Sequence, residues 1–265
     1  MYSSLQLALK YLHYSFTASN GKGHGIHSPF VFDFITRVMN DSTSYPAYEK
    51  VERLRKQILN DNTVLIVEDF GAGSAVSKTN QRTIASIAKN AAKPAKYGQL
   101  LYRMVKYYQP ESVIELGSSL GLTSSYLSLA NPGSNFFTLE GSAAVAEMAQ
   151  KNFKLLAIHN ATLVKGNFDE MLPVVLAQLP KIDFAFIDGN HRKIPTLNYF
   201  HQLRVSVQNS SILIFDDIHW SREMEEAWEE IKNDPAVTGT IDLFFIGLVF
   251  FRKEFKEKQH FTIRF

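Results

Sequence analysis

Val113-Ile-Glu-Leu-Gly-Ser-Ser-Leu-Gly-Leu-Thr123 decides the reading of this chain. An apolar run containing the acid Glu115 leads to Gly117, then three residues, then Gly121 and a helix-forming stretch. A strand that turns on glycine into a helix lets the backbone approach a nucleoside ligand closely. A second apolar run, Phe136-Phe-Thr-Leu-Glu140, closes on a carboxylate. An acid about twenty residues after the glycine turn is placed to accept hydrogen bonds from both ribose hydroxyls.

The spacing bears on which nucleoside. A dinucleotide carries a pyrophosphate, and its fingerprint sets a second glycine two residues after the first. Ser119 stands at that position here, and the pattern is G-x-x-x-G. S-adenosylmethionine has no phosphate. Its sulfonium and amino groups are cationic, so Glu115 is electrostatically sensible beside it. The motif favours S-adenosylmethionine over NAD. The plain alternative is a strand-helix turn that needs glycine only for packing.

From Ser112 onward apolar strands alternate with helical stretches. The strands are expected at 112–116, 135–140, 161–165, 182–187 and 210–215, with a helix near 222–233. This alternation predicts an α/β fold with a doubly wound, mostly parallel, Rossmann-like sheet. Thr240 to Ile246 and Leu248 to Arg252, split by Gly247, predict a C-terminal antiparallel hairpin, and His260 to Phe265 one further edge strand. The preceding part reads as a mostly helical N-terminal cap. Ser28 is expected as a cap with Pro29 at the first helical position, followed by Phe30, Val31, Phe34, Ile35 and Val38 at helical spacing. Val51, Leu54 and Ile58 suggest a helix, 63–67 a short strand, and 78–92 and 96–108 two helices broken at Pro94. The expected division is a cap over 1–95 and a cofactor-binding domain over 96–265.

Composition sets the outer limits. The 265 residues are 45% hydrophobic, enough for a sizeable core. No apolar run reaches the ~20 residues of a membrane span, so no membrane partner is expected. Gln6, Lys10 and His13 interrupt the first sixteen residues, so no signal peptide is expected. Cysteine is absent, which removes disulfides, thiolate catalysis and zinc-thiolate sites. A cytoplasmic location is the default for a cofactor made inside cells. A formal charge of +2 is too small to argue for nucleic acid.

Six segments between Lys96 and Lys253 resemble the class I S-adenosylmethionine-dependent methyltransferases, most of all the catechol and caffeoyl-coenzyme A O-methyltransferase group. They are Lys96-Tyr-Gly-Gln-Leu-Leu, Glu115-Leu-Gly-Ser-Ser-Leu-Gly121, Glu140, Phe186-Ile-Asp-Gly-Asn-His191, Phe215-Asp-Asp-Ile218 and Phe245-Ile-Gly-Leu-Val-Phe-Phe-Arg252. The resemblance implies a transferase that binds S-adenosylmethionine through Glu115, Gly117, Ser118, Gly121, Glu140, Asn167, Phe168 and Asp188. Asn167 is then expected to hydrogen-bond the adenine and Phe168 to stack on it; the plain alternative is a turn with Phe168 in the core. In the metal-dependent relatives, acids at the places of Asp188, Asp216 and Asp217 hold a divalent cation that activates the acceptor hydroxyl. Three oxygen ligands would suit magnesium or calcium. Asp217 stands where relatives often have asparagine. His191 stands where they often have lysine, and together with Asp188 it is a candidate for catalysis, His191 as general base. His219 is a second candidate base. Each of these acids and histidines also has an ordinary reading as a helix cap or a solvated loop residue.

Two further features concern partners. Asp69-Phe-Gly-Ala-Gly-Ser74 is a second glycine turn, but no strand closing on an acid follows it, so a small-residue turn is expected. Between Phe70 and Pro110 there is no acid, while Lys78, Arg82, Lys89, Lys93, Lys96, Arg103 and Lys106 are all basic. These are either solvated helix faces or a surface for an anionic acceptor or RNA. The first expectation is O-methylation of a small molecule, anionic or neutral, with RNA as the rival acceptor, and a homodimer is compatible with either. A nucleotide-binding oxidoreductase or a non-catalytic binding domain is the reading from another class.

Overall fold

The computed structural model describes residues 1–19, 21–67 and 80–265. The second glycine turn and Lys78 lie outside them. In chain order the elements are α1 (Ser4–Thr17), α2 (Pro29–Asp33), a π-helical segment (Phe34–Met39), α3 (Pro46–Ile58), β1 (Val64–Ile66) and β2 (Gln81–Thr83). Next come α4 (Ile84–Ala91), α5 (Ala95–Tyr108), β3 (Ser112–Leu116), α6 (Leu122–Ala130), β4 (Asn135–Glu140) and α7 (Ala143–Leu155). They are followed by β5 (Ala161–Lys165), α8 (Phe168–Leu176), β6 (Ile182–Ile187), α9 (Lys193–Arg204) and β7 (Val207–Asp216). The chain closes with α10 (Arg222–Asn233), β8 (Gly239–Asp242), β9 (Ile246–Phe250) and β10 (Gln259–Thr262). The eight strands β3–β10 form a mostly parallel sheet, so the fold class is the expected one. No helix among the described residues is long and apolar enough to cross a membrane.

The chain forms two compact units, Ser42–Gln178 and Met1–Asp41 with Leu179–Phe265. In the Ser42–Gln178 unit, β3 pairs with β4 and β4 with β5, both parallel. Every residue of β3 is buried, as expected of parallel strands covered on both faces. Glycines set the closest contacts. A Cβ on Gly98 of α5 would lie 2.5 Å from the Tyr126 ring of α6, so the two helices meet backbone to ring.

In the other unit β6 and β7 are parallel, β7–β9 and β8–β9 antiparallel, and β10 lies parallel to β8 at the sheet edge. The hairpin pairs as predicted, but its turn is Leu243–Phe245 rather than Gly247. Phe244 adopts φ 69, and its N–H donates to Asp242 Oδ1 at 2.7 Å. Gly247 sits inside β9 because Trp228 of α10 covers it: a Cβ there would lie 2.6 Å from the indole. The last strand of the parallel set is longer than expected, starting at Val207. Ser28 makes no side-chain cap, although Pro29 does occupy the first turn. The helical spacing after it is realised as α2 and then the π-helical segment.

α1 begins with a capping box in which Gln6 N–H donates to Ser3 Oγ and Ser3 N–H to Gln6 Oε1. It is tied to α10 through Glu225, which accepts from the Tyr2 hydroxyl at 2.6 Å and from Lys10 Nζ at 2.9 Å. His219 lies between two acids, Nδ1 at 3.0 Å from Glu225 and Nε2 at 2.7 Å from Asp242. An imidazole whose two nitrogens both face carboxylates must donate from both, which is the charged form. Burial lowers its pKa, but the acids outweigh burial and the net shift is upward. A histidine whose folded pKa exceeds its unfolded value contributes stability below the unfolded pKa. That contribution is lost as pH rises through the folded pKa. Urea unfolding at mildly acidic and at alkaline pH should therefore show a larger loss for wild type than for His219→Gln. Equal losses in the two proteins would contradict the ion-paired assignment.

Candidate functional site

The turn after β3 is built from backbone torsions that few residues adopt. Gly117, Ser119 and Gly121 have φ of 101, 47 and 80. Gly117 and Ser118 N–H both donate to Leu139 O, and Gly121 N–H closes the turn on Ser118 O at 2.8 Å. Gly121 caps α6, and a Cβ on it would lie 2.7 Å from the Phe153 ring, so glycine is demanded by both torsion and space. Ser119 takes a left-handed conformation where a dinucleotide fingerprint would use glycine.

Glu140 ends β4 and is the anchor of this region. Its Oε2 accepts from Ser119 N–H at 2.8 Å and its Oε1 from Ser142 N–H at 3.0 Å. One carboxylate thus fixes the loops that follow β3 and β4. Glu115 is wholly buried. Its Oε2 accepts from the Thr138 hydroxyl at 2.5 Å and from the Ser124 hydroxyl, while Oε1 is buried without a hydrogen-bond partner. Burial pushes the Glu115 carboxyl up to about 7; the two hydroxyls pull it down and Glu140 adds to the rise. Ser118 is also buried, and its hydroxyl bonds that of Thr138. The sequence reading missed Ser124 and Thr138. Their signal was a hydroxyl on the first turn of α6 and another inside an otherwise apolar strand.

Asn167 and Phe168 follow β5. The Asn167 side chain caps α8, accepting from Asp169 N–H at 3.0 Å. Phe168 is half-buried rather than part of the core. The basic stretch does not form a single solvated face. Arg103 is buried and points a nitrogen at the Tyr48 hydroxyl, while Lys89, Lys96 and Lys106 are exposed.

In the unit containing β6 and β7, Asp188 follows β6 and Asp216 ends β7, at the carboxyl ends of two paired parallel strands. His191 Nε2 lies 3.5 Å from Asp188 Oδ1. One ligand atom from each of Asp188, His191 and Asp216 lies within 4.8 Å of the others. The cluster thus takes His191 where the sequence reading placed Asp217. Asp217 instead adopts φ 53 and its N–H donates to Phe245 O, which shapes the loop. The Trp220 ring, unremarked in the sequence, stands edge-on to His191 at 5.4 Å. His219 is held by Glu225 and Asp242, so it does not join this cluster.

Comparisons with known proteins agree with this architecture. Residues 114–218, less than half of the chain, match a family model described as a methyltransferase domain. An uncharacterized protein of Acanthamoeba polyphaga mimivirus is 30% identical over 99 residues, 35% of this chain and 45% of that protein. A transmembrane O-methyltransferase homolog of Rattus norvegicus is 32% identical over 84 residues, 31% of this chain and 33% of that protein. The chain thus spans less than half the length of the curated relatives it matches. Among solved structures, the O-methyltransferase TomG from Streptomyces achromogenes superposes with TM-score 0.57 at 16% identity, over 84% of this chain and 95% of that one. A methyltransferase of Podospora anserina does so with TM-score 0.59 at 9% identity, over 96% and 98%. The matched segment holds the glycine turn, Glu140 and the Asp188, His191 and Asp216 cluster, and the chain as a whole has the fold of the class I O-methyltransferases.

Proposed function

We propose that this chain is an S-adenosylmethionine-dependent O-methyltransferase acting on a small molecule. The observation that carries the reading is the Glu140 carboxylate, held by two backbone amides at the carboxyl end of β4. A carboxylate has about four acceptor sites, and the two amide bonds orient it. The solved neighbours from Streptomyces achromogenes and Podospora anserina are complexes with S-adenosylmethionine and its demethylated product, which supports the same cofactor here. S-adenosylmethionine supplies an activated methyl group on a sulfonium. The chain's part is to hold its sugar through Glu140 and to offer the buried acid Glu115 and the turn of Gly117, Ser118 and Gly121 to its cationic end. Asn167 and Phe168 are assigned to the adenine, Phe168 by stacking.

Calorimetric titration with S-adenosylhomocysteine tests the sugar clamp. Charge-assisted hydrogen bonds contribute about 1.5–3 kcal/mol each, so Glu140→Ala should weaken binding at least tenfold. Unchanged affinity in a variant that melts like wild type would remove the assignment.

For the acceptor, the donor set fits a divalent cation: two carboxylates and one imidazole within 4.8 Å, with Asp216 buried. The two carboxylates suit magnesium, calcium or manganese, and the imidazole admits zinc, iron or nickel as well. Such an ion, when bound, would lower the pKa of an acceptor hydroxyl. Asp188, His191 and Asp216 would hold it, and Asp217 would serve the loop. If no ion is held, His191 is the group assigned to take the acceptor proton. Paramagnetic resonance of added Mn²⁺ should show one ion bound per chain and lost in Asp188→Asn. Mn²⁺ left free by the wild-type protein would end the metal reading.

A further inference from the structure

α1 is apolar on two opposite faces. Leu7, Tyr11, Tyr14 and Ala18 follow one helical stripe; Tyr14 and Ala18 are buried, and Tyr11 and Tyr14 pack against Phe244. Leu5, Leu9, Leu12 and Phe16 recur at spacings of four, three and four on the other side, with Ala8 between them. That second stripe is in solvent: Leu5 is 71% exposed, Leu9 58%, Leu12 52% and Phe16 83%. A helix apolar all round is normally a buried one. At these exposures the four side chains present on the order of 500 Å² of apolar surface, at the top of the range for patches that monomers tolerate.

We propose that this stripe is a homodimer contact, in which α1 packs antiparallel on α1 of a second copy. A two-fold interface must be complementary to itself. The stripe satisfies this because it holds no charge that would meet its like. The one cation of α1, Lys10, is turned away and held at 2.9 Å by Glu225. That also disfavours a membrane surface, where an interfacial helix carries Lys and Arg on its polar face. In the antiparallel register Leu5 meets the partner's Phe16 and Leu9 meets the partner's Leu12. Ala8, small and central, lets the backbones approach. Two copies would bury on the order of 1,000 Å², the low end for a specific interface, so the dimer should be weak.

Sedimentation velocity on the full chain from about 1 to about 100 µM covers the affinity expected of so small a contact. Wild type should shift from monomer to dimer. Leu9→Glu and Leu12→Lys should each remain monomeric with unchanged circular dichroism, since both sites are exposed. An equimolar mixture of the two variants should recover dimer, because the new charges face each other across the two-fold. A wild-type monomer throughout, persistent dimers of either variant, no recovery in the mixture, or wild-type monomer that cofloats with phosphatidylserine vesicles would overturn the assignment.

Discussion

Two hydrogen bonds to one carboxylate organise the cofactor side of this protein. Ser119 N–H and Ser142 N–H both donate to Glu140, so the loops that leave β3 and β4 cannot move independently. The first of those loops needs three left-handed residues in five to bring Ser119 N–H round to the acid. Two are glycines and incur little strain. Ser119 is not, and its torsion is stabilised by the charge-assisted bond that it makes. A turn usually credited to glycine alone is therefore also an electrostatic structure.

Behind that clamp lies a second acid of a different kind. Glu115 is out of water, with one oxygen bonded to two hydroxyls and the other to none. Its carboxyl sits at about 7, near the point where it can be neutral or charged. A buried carboxyl in that state costs little while protonated, and a cation brought near it favours the ionised form. On the proposed reading, that state would suit the cationic end of S-adenosylmethionine better than a pyrophosphate. This is the same discrimination that the glycine spacing makes sterically.

Much of the fold could be read from the chain because the inner parallel strands β3, β4 and β6 are mostly buried and appear as nearly continuous apolar runs. Strands 112–116, 135–140, 161–165 and 182–187 are recovered residue for residue. The hairpin turn is not where its glycine points. Gly247 is glycine for the sake of the Trp228 ring, a contact from α10 that no local pattern reveals. The place of Glu140 at the end of β4 was legible because it depends only on position along the strand. The grouping of His191 with Asp188 and Asp216 was not, because it depends on how the loops after β6 and β7 fold. Asp217, adjacent to Asp216 in sequence, has a left-handed torsion that local sequence patterns do not reveal. The hydroxyls of Ser124 and Thr138 were passed over because helix and strand patterns treat them as neutral filler.

A crystal structure with S-adenosylhomocysteine tests the central claim most directly. The account requires both ribose hydroxyls within hydrogen-bonding distance of the Glu140 carboxylate, with Ser119 and Ser142 still donating to it. A ligand seated elsewhere, or a Glu140 that touches no part of the sugar, would contradict it.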